Sequence, residues 1–456
     1  MKKHIKVSLA LFGLIFYFLG SQIALAQSEG KKGKMVLTLE ESLRLALEKN
    51  PFYLANKEKI AEAIASVREA ASRFMPSLNM QGTHTLDEKL FVLEFPSFVP
   101  GQPAQRVSID FTRDYQVGFS FSLPLFTGGK LVAGFKQAEY NLRATEQSVE
   151  QSRIDTIYNV KRAFYSYLLA QQFVEVSQEA VNLAQKYLDN VRRLYEVGLA
   201  SRFDLLRSEV QLANLKPQLL RAQNQLELAA VHLKQLLGID LDTEIEVKGE
   251  LAYIPVEINP EKLLAQALIF RPDLAQLRYQ QQMVGELLRL ARATDRPTIA
   301  IGGSYNFWAN YLNFKRNNWQ SYYSFNLVIS LPIFNGFSGS AQAAKANAML
   351  RSLELTERGL IELIKAEIKQ AWLNLLQAKE TLLSQEKNVE QAQESLRLAE
   401  LNYNEGLATF LDVSSAQVAL TQARTNYSQA LFDYVMALAQ LEKAMGRTLD
   451  ELAVKS

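Results

Sequence analysis

The chain has 456 residues, with 50 Lys and Arg against 48 Asp and Glu, three His and no Cys, enough for two or three ordinary domains or one elongated one. A mean hydropathy of −0.08, with no apolar run after residue 26 near the ~18 residues a membrane helix needs, excludes a bundle of membrane helices. The balanced charge leaves no broad basic field for nucleic acid, and the absence of Cys excludes disulfides and thiolate metal sites.

In chain order, the first segment reads as an address. Lys2, Lys3 and Lys6 precede the apolar stretch Val7 to Leu19, and Ala24-Leu25-Ala26 offers a small-x-small cleavage site. Residues 1–26 are therefore expected to be a secretory signal peptide, set aside from fold reasoning. Its removal takes three lysines and no acids, which brings the net charge to about −1. No cysteine follows the cleavage site, so the mature chain is expected to hold a membrane position without a lipid anchor.

The remainder is written twice. Pro51, Pro76 and Gly82 recur as Pro272, Pro297 and Gly303, each 221 residues on. The run Ser122-Leu123-Pro124-Leu125-Phe126 recurs as Ser330-Leu331-Pro332-Ile333-Phe334, and Tyr195, Gly198, Asp204 and Gly238 recur as Tyr403, Gly406, Asp412 and Gly446, all 208 residues on. The offset changes once, by 13 residues, between Gly82 and Ser122. A period this long marks a duplicated domain, not a solenoid of short repeats. The expected units are residues 27–237 and 261–446, with a connector at 238–260 and a tail at 447–456.

Each unit opens with short helices, 39–49 and 52–74 in the first and 261–292 in the second. A hairpin follows, at 77–124 and 298–332. Along 115–123, Tyr115, Val117, Phe119, Phe121 and Leu123 alternate with Gln116, Gly118, Ser120 and Ser122, and Tyr323, Phe325, Leu327, Ile329 and Leu331 repeat the pattern. A period of two, apolar on one face and small or polar on the other, describes a strand between lipid and a watery lumen. Tyr305, Trp308, Tyr311, Trp319, Tyr322 and Tyr323 gather at the second hairpin tip as an aromatic girdle would. The 13 extra residues of the first hairpin fall where Pro96, Pro100, Gly101 and Pro103 mark a loop, expected at the cell surface. Two hairpins give four strands, too few to close a membrane barrel of about eight or more, and open edges cannot face lipid. The barrel is therefore expected to be shared among subunits.

Two long helices per unit complete the order, at 130–237 and 337–445. Phe135 to Val197 contains no Gly or Pro, which at ~1.5 Å per residue makes about 95 Å of helix. The matching run from Phe337 to Glu405 is interrupted by Gly339 and Gly359, and the first return helix carries Pro217 as an expected kink. Val160, Phe164, Tyr167, Val174, Val181 and Leu188 form one seam, and Phe173, Val176, Ala180, Leu183 and Tyr187 a second. Two seams suit a helix with neighbours on both sides, as in a closed ring.

The RPDL start at Arg271, the SLPLFTGG and SLPIFNGF junctions and the YEVGLASRFDLL and YNEGLATFLDV turns resemble the TolC outer-membrane efflux family across essentially all of the mature chain. The resemblance implies an α+β membrane protein whose four strands contribute to a trimeric twelve-stranded β-barrel, above a twelve-helix periplasmic tunnel girdled by a small mixed belt. The connector and the C-terminal tail would belong to that belt. It also implies a homotrimer in outer-membrane lipid, working with a periplasmic adaptor protein and an inner-membrane transporter of the RND or ABC class.

No catalytic set or phosphate loop is present, and neither His84 nor His232 has metal-ligand spacing. No enzyme activity and no cofactor are expected. Function is expected at the helical turns, where Gly198 and Gly406 permit positive φ and Ser201 and Thr409 stand ready to cap the next helix. By resemblance, Val197, Gly198, Leu199, Glu405, Gly406 and Leu407 would meet the adaptor tip to tip. Asp412 would face the closed entrance, three copies forming an acidic ring; a second acid of the family's pattern is Ser415 here, which implies weaker cation selectivity. Tyr403 and Asp204 match a hydrogen-bonded lock whose arginine position is Ala408 here, with Arg202 on the opposite turn as the substitute. The duct reading stands beside a periplasm-spanning tether or adhesin, which would have no need of polar lumenal strand faces. Drug efflux, metal efflux and protein secretion are not separated by this sequence.

Overall fold

A computed structural model describes residues 34–86, 91–95, 105–109, 114–256, 260–312, 315 and 318–447. The signal segment, the prolines of the first hairpin loop and all of the tail but Arg447 lie outside the described residues.

The glycine- and proline-poor runs fold as α3 (Lys130–Glu196) and α7 (Ser338–Asn404), of 67 residues each, or about 100 Å at the helical rise. Each returns through a partner, α4 (Arg202–Leu237) and α8 (Phe410–Met445), as an antiparallel coiled pair. The expected interruptions at Gly339 and Gly359 are absent from α7, and α4 runs as one helix through Pro217. Gly339 has its own reason. A Cβ there would sit 2.6 Å from the Asp295 carboxylate, so glycine lets that charge approach the positive end of α7. The two seams of α3 separate as expected: Val181 and Leu188 pack with Leu212 of α4, whereas Leu183 and Tyr187 pack against Leu396 and Val413 of the second pair.

The short helices are α1 (Leu39–Lys49), α2 (Pro51–Ser72), α5 (Pro260–Phe270) and α6 (Pro272–Arg292). The expected single run 261–292 is thus two helices, parted at Arg271 because the residue before a proline is pushed out of helical geometry. At one end of the molecule α2, α3, α6 and α7 lie side by side in that order. Midway, α1, α5 and a parallel pair of short strands, β1 (Met35–Leu37) and β6 (Ile245–Val247), cover one side of the long helices. Leu37, Phe164, Leu233, Leu274, Ile364 and Leu441 are fully or almost fully buried there. The connector was expected in this belt; β1 as its partner was not, since three residues carry too little periodicity to read.

The duplication keeps one joint in place while changing the side chain that makes it. Asn50 donates its amide to the Leu236 carbonyl at the end of α4 (2.8 Å). Its counterpart Arg271 donates to the Ala444 carbonyl at the end of α8 (3.2 Å) while also pairing with Asp273 and Glu367. Side-chain donors thereby satisfy helix-end carbonyls that have no intrahelical partner. Arg271→Ala is expected to cost about 3 kcal/mol, because it strands two carboxylates and a carbonyl around a mostly buried group. A thermal midpoint unchanged by that substitution would remove the joint from the account.

The sheet is built from β2 (Ser77–His84), β5 (Tyr115–Phe126), β7 (Thr298–Ala309) and β8 (Gln320–Ser330), antiparallel throughout in the order β2-β5-β7-β8. Its register sorts the faces. Met80, Phe119, Tyr305 and Tyr323 line up across four strands, as do Leu78, Phe121, Gly303 and Phe325. Gly303 makes room for the Phe121 ring, which a Cβ would meet at 2.6 Å. The opposite face carries the row Asn79, Ser120, Ser304 and Ser324, and the last two hydroxyls bond at 2.9 Å. The apolar row of β8 is open to solvent, with Phe325 69% exposed. Among the described residues, strands β2 and β8 each have one unpaired edge. Within the extra residues of the first hairpin a separate ribbon forms, β3 (Phe91–Phe95) against β4 (Gln105–Ile109), where the sequence reading placed only a loop.

The strand-to-helix junctions are left-handed in both copies. Gly128 and Gly129 of the first correspond to Gly336 and Phe337 of the second, with φ of 95° at Gly129 and 63° at Phe337. The latter costs on the order of 1 kcal/mol, and the exposed ring stands edge-on to Phe334 at 5.5 Å.

Candidate functional site

At the end of the molecule away from the sheet, both coiled pairs reverse through matched turns. Gly198 has φ 78° and Gly406 φ 75°. Leu199 N–H donates to the Leu194 carbonyl (2.7 Å) and Gly198 N–H to Tyr195 (3.0 Å); Leu407 and Gly406 repeat this to Asn402 (2.8 Å) and Tyr403 (3.1 Å). This paired pattern closes the helix end and requires a left-handed residue at the turn. Nothing lies within 4 Å of either glycine's missing side chain. The turns therefore protrude, with Val197 exposed, Leu199 77% exposed and Leu407 80% exposed.

The return helices start with reciprocal caps. Ser201 Oγ accepts from Asp204 N–H (3.1 Å), and Asp204 accepts from Ser201 N–H (3.3 Å) and its hydroxyl (2.6 Å). Asp412 accepts from Thr409 N–H (2.8 Å) and its hydroxyl (2.7 Å). Each acid is thus the third residue of a capping box and also faces the positive end of a helix. Those hydrogen bonds, the Thr409 hydroxyl first and its backbone N–H second, hold the Asp412 carboxyl below its ordinary value of 3.8. A depressed carboxylate stabilises its helix start fully above the ordinary value and loses that contribution only as pH falls through the lowered one. The Asp412 carboxylate is therefore expected to stay ionised on acidification down to about pH 5, which a side-chain NMR titration would measure.

Tyr403 is half-buried against Leu396 and Val413. Burial first, and the nearby Asp204 charge second, push its phenol above the ordinary range. The two residues paired by the sequence reading thus lie within each other's field, from different coiled pairs, with no hydrogen bond between them among the described contacts. Arg202 opens α4 at an exposed position, with no ion pair among the described residues.

Three other contacts join the coiled pairs near this end, and the sequence reading missed them. Tyr187 Oη on α3 donates to Glu400 on α7 (2.5 Å), and burial together with that bond pushes the phenol far up. Gln417 of α8, buried in an apolar stripe, donates its amide to the Ala180 carbonyl (3.2 Å). Arg424 of α8 pairs with Glu179 of α3. One signal was available: Gln417 interrupts the row Val413, Ala416, Leu420, and a polar residue on an apolar face needs a partner.

Among the described residues no cluster of three or more His, Cys, Asp or Glu could hold a metal, and no helix is long and apolar enough to cross a membrane.

The family model described as "Outer membrane efflux protein" matches residues 42–239 and 263–447, the two copies read from the repeat. The chain belongs to this family. It is 23% identical to the outer membrane protein TolC of Vibrio cholerae over 425 residues, covering 91% of each chain. It is 26% identical to the cobalt-zinc-cadmium resistance protein CzcC of Cupriavidus metallidurans, covering 72% of this chain and 76% of that one. The fold matches the outer membrane protein VceC of Vibrio cholerae with a TM-score of 0.71 at 19% identity, over 90% of this chain and 96% of that one. The chain is thereby an outer membrane protein of the efflux class.

Proposed function

We propose that the chain forms a homotrimeric exit duct. It passively conducts cargo delivered by an inner-membrane RND or ABC transporter and a periplasmic adaptor, in an efflux pump or a type I secretion system. The observation that carries this reading is the four-stranded sheet with two unpaired edges and sorted faces. Backbone groups at a lipid-facing edge would go unsatisfied, and joining β8 of one copy to β2 of the next closes twelve strands around a polar lumen. The helices below then make a tunnel of twelve, and the exposed turns around Gly198 and Gly406 become its mouth. There Val197, Leu199 and Leu407 offer the adaptor apolar contacts, with the Glu405 carboxylate beside them. Asp412 sets the charge of that mouth, while Asp204, Tyr403 and Arg202 bound it.

The test is single-channel recording of the purified mature protein in a planar bilayer, wild type against Asp412→Asn. Asparagine keeps an acceptor for Thr409 and removes the charge. Discrete channels with a cation preference reduced by the substitution, by roughly a factor of two or more, are the expected result. Channels indifferent to it would keep the conduit and remove Asp412 from the entrance. An inserted oligomer that never conducts, even with its turns loosened, would leave a tether.

A further inference from the structure

A groove of about 540 Å³ on the layer of α2, α3, α6 and α7 is lined by residues of all four helices. Asn141, Thr145 and Ser148 give α3's contribution. On the heptad wheel of α3 they point away from Val160 and Phe164, which face the belt. Under the duct reading the belt girdles the outside of the tunnel, so the groove opens to its interior.

The floor of the groove is apolar, with Ala63, Ala144 and Val284 buried. Above it stand the amides of Asn141, Gln276 and Gln280, for which no protein partner exists among the described residues. Other amides of the layer are engaged elsewhere: Gln281 on α6 bonds to Glu357 (2.8 Å) and Asn56 on α2 to Ser152 (3.1 Å). Met283 and Met349 add thioethers that adapt to varied shapes. The charged side chains in the lining are Lys59 and Glu62, of opposite sign and on one rim.

An apolar floor, a few convergent donors and acceptors and no net charge, in a space of this size, fit a small uncharged ligand. We propose that this groove is a transit site in the upper tunnel for neutral amphiphiles carrying amide or hydroxyl groups. This rests on the duct reading, for only a lumenal groove meets cargo. Affinity is expected to be weak, in the millimolar range, because a conduit must release what it binds.

Saturation-transfer NMR on the full oligomer in lipid nanodiscs tests it with two probes of matched body, N-benzylacetamide and benzyltrimethylammonium, against empty nanodiscs. Wild type is expected to transfer saturation to the amide well above the empty-nanodisc level and little to the cation. Gln276→Glu/Gln280→Glu, nearly isosteric, is expected to cut the amide signal at least threefold and raise the cation signal. Asn141→Asp, at an exposed position that folding tolerates, serves as a second variant with the same direction. An amide signal equal to that of empty nanodiscs, or one unchanged in both variants at wild-type thermal midpoint, overturns the site. Failure to conduct while these signals persist would instead remove the duct reading and leave the groove.

Discussion

Gly238→Ala is expected to destabilise the protein by about 3 kcal/mol, several times the cost of Gly198→Ala, although both glycines are left-handed helix ends. Gly238 has φ 67°, and a Cβ there would lie 2.4 Å from the Lys49 carbonyl oxygen and 2.8 Å from its carbon. Both atoms are backbone, pinned by the bond from Asn50 to Leu236, so neither can swing aside. At Gly198 a Cβ would meet nothing within 4 Å, and only the left-handed conformation is penalised, by about 1 kcal/mol. Gly446 is intermediate, with Arg271 backbone 3.2 Å away. Thermal or denaturant midpoints of the three alanine variants should therefore rank 238, 446, 198. If Gly238→Ala melts with Gly198→Ala, the α1–α4 joint is looser than its geometry states.

How much of this was legible in the sequence depended on the length over which a signal repeats. The long helices carry two seams across dozens of residues, so their ends fell within a few residues of α3, α4, α7 and α8. The hairpins were readable because Phe119, Phe121, Phe325 and Leu327 alternate with small or polar residues over five or more positions. The strand β1 has three residues, and its parallel partner lies 210 positions away in register; nothing local announces such a pair. The expected break at Gly359 is absent because its neighbours Leu360 and Ile361 pack against the core, which offsets a propensity cost of about 1 kcal/mol at glycine. Gly339 stands in the first turn of α7, where there is almost no helix before it to break. At the tips the turn chemistry was visible in Gly198, Ser201 and Asp204, and the capping boxes were one step beyond it. The ties between coiled pairs were not visible, since Tyr187 and Glu400 are 213 residues apart and only the folded register brings them together.

Those ties set the second large effect. Under the duct reading, opening the mouth parts the first coiled pair from the second, and the contacts resisting this include Tyr187–Glu400, Gln417–Ala180 and Arg424–Glu179. The first is the strongest, a phenol donating to a carboxylate from a half-buried position, and such a bond contributes about 1.5–3 kcal/mol. The arginine pair is largely solvated and contributes about 0.5 kcal/mol. The three share one interface, so their losses will not add simply. Tyr187→Phe is expected to raise the open fraction about tenfold, as 1.4 kcal/mol implies, and Tyr187→Phe/Arg424→Ala somewhat further, read as open-channel events per unit time in a planar bilayer. Tyr434→Phe is the control. It removes a comparable bond, from the phenol to the Ile254 carbonyl (2.6 Å), but in the belt, where no opening is required. A tie at the mouth predicts frequent opening in the Tyr187 variants and wild-type closure in the Tyr434 variant. Equal opening in both would mean that general loss of stability, not release of the tips, unseals the duct; no opening in either would place the seal elsewhere, at the ring of turns itself.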